Sequence, residues 1–402
     1  MTGGLPGRHR SVYKVKRRKI FGHKRSRMPS FSRSSGLRGH GRSGHGRRWP
    51  KRTLIGVICL VVLLILFAAG SYIFLDVKLG DIHREQVSAL TPVKSGQAEN
   101  VLLIGSDSRQ CETSKAQASA FGSKTTVTGQ RSDTIVVTRF LSGGRVEMLS
   151  IPRDLWVPIA GADGSAKINA AFNNGPNPLV QTIQRNFGIP INHVVMLNLC
   201  GVSTMVNALG GVYMDFPDPV RDAYTGLDVT KTGCQLVDGA EALQIARSRH
   251  LYYYADGQWN YDGMSDFSRI KRQQNLFHAI LDRLHSVVPN VFEAFSFVDA
   301  AARGIAVDSG FSSNSMLALG WDYHSLSASR LYSSTLPTSE AVIDGQDVLL
   351  PVPEDKAIIH AFLAGNTAGF TVSLVRGDPP VSLMSDIVNP NTLSEPWNPV
   401  PC

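Results

Sequence analysis

The dominant feature of the hydrophobic pattern is an uncharged run from Leu54 to Leu75, 22 residues rich in Leu, Ile and Val. At 1.5 Å per residue it would form a helix roughly 33 Å long, enough to cross a bilayer. A secretory signal has a shorter apolar core and a small-residue cleavage site. This run is longer and continues into "SYIFLDVKLG", so it reads as an uncleaved anchor. After a short polar stretch ending near "SGQAEN" the pattern changes to alternating strands and helices. "NVLLIG", "DTIVVTRF" and "RVEMLSI" are apolar, β-branched runs bounded by Gly, Ser or Pro, and the last two, separated by "LSGG", are expected to form a hairpin.

Helical spacing follows in "NPLVQTIQRNFG", where Leu179, Ile183 and Phe187 share one face and Gly188 stands in the stop position. "INHVVMLNL" reads as a strand and "GVSTMVNALGG" as a short helix. Another helix opens at Asp238, where "DGAE" has capping-box spacing, and a long one runs from about Phe267 to His285. "VFEAFSFVDAAARGIAV" and "EDKAIIHAFLAG" add two more. This alternation predicts an α/β fold, a layered domain with a central mixed β-sheet flanked by helices, preceded by one transmembrane helix. The expected organisation is a basic tail over 1–52, the span over 53–75 and an extracytoplasmic stalk over 76–98. A core over 99–285, its remainder over 286–385 and a Pro-rich tail over 386–402 complete it.

Charge adds a direction. The first 52 residues hold 17 Lys and Arg and no acid, whereas the rest of the chain holds 24 basic and 32 acidic residues. The positive-inside rule then puts the N-terminus in the cytoplasm and the domain outside the cell membrane. The Arg-, Gly- and Ser-rich tail is too polar to build a core, and it reads as a topology signal that adheres to anionic membrane lipid rather than as a nucleic-acid arm. Cys111, Cys200, Cys234 and Cys402 lie on the side where disulfides form, and four cysteines allow three pairings. A Cys200–Cys234 bridge is favoured, because the two flank one helix-loop-strand unit; four unpaired thiols are the alternative.

Candidate chemistry sits at element ends. Asp107 and Arg109 follow the first strand of the core, and Arg131 and Asp133 precede the next. Two carboxylates at neighbouring strand ends suit one Mg²⁺, although each triplet alone reads equally well as turn chemistry. Arg153 and Asp154 follow a strand, and Lys167 and Asn169 precede a helix. Arg247 and Arg249 can serve one site only if their helix stops near Ala246; otherwise they are two solvated arginines at a helix end. Asp266, Arg269 and Gln273 share a helical face beside Arg272, a face that is costly to bury without an anionic partner. No Walker loop, Rossmann fingerprint, zinc spacing or G-x-S-x-G elbow is present, which disfavours nucleotide hydrolysis, hydride transfer and serine-type acyl transfer.

Seven blocks in one order, "NVLLIGSDSR", "RSDTIVVTRF", "VEMLSIPRDLWVPI", "KINAAF", "GVYMDFPDPV", "LVDGAEALQIARSRH" and "SDFSRIKRQQ", resemble the LytR-CpsA-Psr family from Asn100 to Leu284. The resemblance implies a membrane-anchored phosphotransferase that moves a glycopolymer from a polyprenyl diphosphate carrier to peptidoglycan. It implies Asp107 and Asp133 as Mg²⁺ ligands, and Arg131, Arg153, Arg247, Arg249, Arg269 and Gln273 as diphosphate-binding groups. Arg153 and Arg247 are expected to be catalytic, with Asp266 as general base. Two departures stand out. Ser265 and Ser268 replace the glycines the family often has around Asp266, and the segment between Arg249 and Asp266 is longer than usual. Two rival readings remain, a non-catalytic regulator that holds lipid-linked polymer and a polyprenyl diphosphate hydrolase.

Overall fold

The computed structural model describes residues 51–106 apart from 95, 132–366 apart from 265, 288 and 289, and the short pieces 371–372, 387–388 and 398–402. Its centre is an eight-stranded mixed sheet. From one edge to the other the strands are His83–Glu85, Ile305–Asp308, His193–Asn198, Glu99–Ser106, Ser132–Leu141, Arg145–Ser150, Leu331–Thr335 and Thr371–Val372. Glu99–Ser106 is parallel to His193–Asn198 and antiparallel to Ser132–Leu141, which forms the expected hairpin with Arg145–Ser150. The expected α/β class with a central mixed sheet flanked by helices is the class observed.

Alternate residues of these strands feed two cores. One face sends Leu102, Ile104, Ile135, Val137 and Leu149 against the helix Pro176–Phe187, whose Leu179, Ile183 and Phe187 are buried and whose end is capped by Gly188 at φ 65°. That φ is the left-handed region glycine favours. The opposite face packs Val136, Val146, Met148 and Leu331 beneath the helix Asp266–Val287. The same helix also contributes Leu276 and Ala279 to a further cluster, built on the strands Val212–Phe216 and Gly233–Val237 and the helix Gly239–Arg247. Asp266–Val287 is thus clamped from two sides, and it buries polar residues that sequence alone would place in solvent. Asp238 caps the Gly239–Arg247 helix, accepting from the backbone N–H of Ala240 and Glu241 at 2.9 Å each.

Four expectations change. The apolar helix runs over Lys51–Gly80, and within it Cys59–Gly80 is long and apolar enough to cross a membrane. Residues beyond Gly80, expected as a stalk, are built into the sheet, where His83–Glu85 forms its edge strand beside Ile305–Asp308. The end of the Pro-rich tail is likewise integrated: Val400–Pro401 adds a strand to Val212–Phe216, and Asn398 is buried. This return carries Cys402 to Cys234, and the two form a disulfide with Cα atoms 5.8 Å apart. The Cys200–Cys234 pairing is therefore corrected to Cys234–Cys402. Proximity in the chain was the wrong guide, because an edge strand from the far terminus reaches Cys234 first. Cys111 and the side chain of Cys200 lie outside the described residues.

Candidate active site

The paired residues Ser106 and Ser132 mark the end of the sheet where the sequence places its first charged groups. Asp107 and Arg131, one residue beyond them, lie outside the described residues, as does Arg109. Asp133 stands at the start of its strand with its side chain 30% exposed. Arg153, in the turn after Arg145–Ser150, donates from Nη1 to Asp133 Oδ1, and its Nε lies 3.4 Å from Asp154 and 3.7 Å from Asp266. Lys167 Nζ meets the other side of Asp154 at 3.0 Å.

Asp266 opens the long helix and is the point of convergence. Its Oδ1 is 2.9 Å from Arg269 Nη2, 3.3 Å from Arg249 Nε and 3.7 Å from Arg153 Nε. Arg269 also donates from Nη2 to the Asp133 carbonyl at 3.0 Å. Gln273, one turn further along, donates to the Ala246 carbonyl and accepts from Thr134 Oγ1, both at 3.0 Å. Arg247 is half-buried and follows Ala246 directly as the last residue of its helix. The helix stops there as Ser248 turns to extended backbone, φ −61° and ψ 125°, and Arg249 beyond the turn reaches Asp266.

Beside this cluster Asp133, Thr134, Arg153, Arg269 and Gln273 line a small open cleft, with Ile135, Val136, Ile151 and Ile270 on its other walls. Nε of Arg153, Arg249 and Arg269 and both oxygens of Asp266 are buried without a hydrogen bond of good geometry among the described residues. Burial would lower the Arg153 pKa, but Asp133, Asp266 and Asp154 outweigh it and raise it. For Arg269, almost wholly enclosed, burial prevails over Asp266 and the value falls. Ion pairs without full hydrogen bonding are a costly way to stabilise an interior and a suitable way to await a polyanion.

Two aspartates that the sequence reading did not single out hold the arginines in place. Asp222, fully buried, accepts at Oδ2 from Ser248 Oγ (2.6 Å), Arg249 N (3.1 Å) and His250 N (3.0 Å), and at Oδ1 from Tyr224 N (2.9 Å). Burial would raise its pKa, yet these four bonds prevail and hold it below the ordinary carboxylate value. Asp262 binds Arg272 Nη1 at 3.1 Å and Ser268 Oγ at 2.9 Å. Arg272 in turn donates to the Ser248 carbonyl at 2.7 Å and to Asn398 at 2.8 Å, so it is a buried tie between segments, not part of an anion-facing surface.

The family profile described as "LytR_cpsA_psr family" matches residues 76–359. The chain belongs to the LytR-CpsA-Psr family. Among curated relatives, the probable cell wall biosynthesis protein LcpB of Corynebacterium glutamicum is 33% identical over 261 residues, covering 64% of this chain and 58% of that protein. The polyisoprenyl-teichoic acid–peptidoglycan teichoic acid transferase TagV of Bacillus subtilis is 30% identical over 185 residues, 44% of each chain. The chain therefore spans about half the length of these two relatives. A LytR-Csp2A-Psr enzyme from Actinomyces oris has the same fold, with a TM-score of 0.57 at 25% identity, over 70% of this chain and 95% of that one. In this LytR-CpsA-Psr chain Asp133, Arg153, Arg249, Asp266 and Arg269 lie in one cluster.

Proposed function

We propose that this protein is a membrane-anchored phosphotransferase that moves a glycopolymer from a polyprenyl diphosphate carrier to a sugar hydroxyl of peptidoglycan. The observation that carries the reading is the convergence of Arg153, Arg249 and Arg269 on Asp266, beside a cleft that Arg153 and Arg269 line. Planar guanidinium groups bind phosphate oxygens two at a time, and among the described residues their counter-charges are side chains that a diphosphate can replace. The apolar helix within Cys59–Gly80 supports an anchor, and the basic residues before it support a cytoplasmic N-terminus with the domain outside.

In the reaction, the acceptor hydroxyl attacks the phosphorus next to the polymer. A P–O bond forms there as the bond to the bridging oxygen breaks, and polyprenyl phosphate leaves with the electron pair. Arg153, Arg249 and Arg269 hold the phosphate oxygens and offset the charge that gathers on the leaving phosphate. Asp266 is assigned the hydroxyl proton, and Gln273 fixes the Ala246 carbonyl and so the position of Arg247. Asp133 gives the site a hard carboxylate donor at the cleft edge, which fits Mg²⁺ binding together with Asp107 and substrate phosphates. Mg²⁺ there would draw charge from the diphosphate.

The test is full-length protein in proteoliposomes given a synthetic polyprenyl-diphosphate-linked glycan, Mg²⁺ and peptidoglycan fragments, with products read by mass spectrometry. A phosphodiester between glycan and fragment is expected. Release of glycan phosphate alone would replace transfer with hydrolysis, and binding without turnover would leave a polymer-holding regulator.

A further inference from the structure

The apolar helix does not end in a hinge. Arg84, just past it, donates to the Leu79 carbonyl at 3.3 Å and to the Phe311 carbonyl at 2.5 Å, tying the helix end to the domain. Within the helix, Phe74 packs against Phe295 with tilted rings and centroids 4.6 Å apart, and Lys78 pairs with Asp299 at 2.7 Å. Both contacts link residues four apart on each helix and in the same chain direction, so this helix and Val291–Gly304 run parallel and in step. The strands that follow them, His83–Glu85 and Ile305–Asp308, are parallel neighbours too, which keeps the alignment into the sheet.

This alignment fixes a depth. Phe292 lies three residues before Phe295, about 4.5 Å nearer the N-terminal end of the pair, level with Ser71. The uncharged run continues to Leu75. Phe292 is therefore about 6 Å inside the end of the apolar span, within the 5–10 Å that interfacial helices occupy. The residue is 83% exposed although it is among the largest apolar ones, and the Asn290 cap holds it in the first helical turn. Neighbouring Glu293 keeps its carboxylate on Asn290 Nδ2 at 2.7 Å.

We infer that the first turn of the Val291–Gly304 helix inserts Phe292 into the outer leaflet beside the anchor, so that the bilayer covers this otherwise exposed ring. The inference rests on the membrane-anchored reading above and adds a second contact that seats the domain on the lipid surface rather than letting it swing from a stalk. An apolar ring level with the hydrocarbon edge has lipid as its matching partner, while Lys78 and Asp299 pair just beyond the span.

The experiment uses the full chain in phosphatidylglycerol–phosphatidylcholine proteoliposomes, with p-benzoylphenylalanine replacing Phe292, Leu66 or Val342 in separate variants. Leu66 lies inside the apolar span, and Val342 is another exposed apolar side chain, on the strand Thr338–Ile343. After irradiation, peptides carrying the mass of one phospholipid are expected at positions 66 and 292 and not at 342. Adducts at 66 but none at 292, or equal yields at 292 and 342, would overturn the seating while leaving the anchor intact. No adduct at 66 would overturn the anchored reading itself, and with it the seating.

Discussion

Replacing Arg153 with Ala separates a substrate-binding arginine from a structural one. Among the described residues Arg153 faces three carboxylates, and its loss strands one of them. Asp154 keeps Lys167 at 3.0 Å, and Asp266 keeps Arg269 at 2.9 Å and Arg249 at 3.3 Å. Asp133 is the one that loses its ion-pair partner among the described residues, and its side chain is 30% exposed. A partly screened pair of this kind contributes about 1 kcal/mol, so Tm should fall by about 2–4 °C. The effect on transfer should be larger. A hydrogen bond to a charged group is worth roughly 1.5–3 kcal/mol, which gives a rate loss of roughly 10- to 150-fold if the bond strengthens in the transition state. Lys should rescue poorly, since a point charge lacks the two-pronged fit of the guanidinium. The assay is transfer in proteoliposomes, with circular dichroism and thermal melting on the same preparations. Wild-type transfer by Arg153→Ala would refute the role assigned to it, and so would a collapse of the fold, because the arginine would then be structural.

Three further outcomes can be measured. Asp222→Ala leaves the Ser248 hydroxyl and three backbone N–H groups buried without their acceptor, and should cost about 3–5 kcal/mol in denaturant melts while transfer falls with it; unchanged transfer would remove Asp222 from the support of Arg249. Cys402→Ser opens a disulfide that closes 168 residues, and the chain-entropy relation sets an upper value of about 5 kcal/mol, so a non-reducing melt that matches wild type would show that the terminal strand holds without it. Glu147 is fully buried, and burial pushes its pKa up to about 7, Arg145 and Arg139 only partly offsetting it. Its folded form therefore keeps the proton longer than the unfolded form, and stability should decline between about pH 4.5 and 7. Glu147→Gln should match wild type near pH 4.5 and exceed it by up to about 3 kcal/mol at pH 8, as equilibrium unfolding at both pH values would reveal.

Much of the framework was legible because it obeys short-range periodicity. Leu179, Ile183 and Phe187 marked a helix face, Asp238 marked a cap, and β-branched runs marked the strands on both sides of Asp133. The supports of the site were not legible, since their partners are distant or are backbone groups. Asp222 binds two N–H groups 27 and 28 residues away, which no residue type advertises. Arg272 shares a helix with Arg269 and was read with the anion-facing side, but that helix is buried from two sides and Arg272 points to Asp262. The aromatic segment after Arg249 forms the hairpin Tyr252–Ala255 and Gln258–Tyr261, closed by Asp256 and Gly257 at φ 54° and 78°. Its Asp-Gly pair between aromatic runs was the available signal.

The carboxylates also explain how several arginines can gather in one place. Three guanidinium groups within 3.7 Å of one oxygen would repel one another if Asp266 were absent, and Arg269, 4% exposed, has little water to screen it. Asp133, Asp154 and Asp266 supply an interim counter-charge that keeps the arginines gathered and correctly aimed. On the proposed reaction a diphosphate gains three guanidinium contacts but must take them from these carboxylates, so its net affinity is a difference between two sets of charge-assisted bonds. That difference is smaller than either set. A product that keeps fewer of those contacts then yields the arginines back to Asp133 and Asp266, and the same pairs that hold the arginines together favour release.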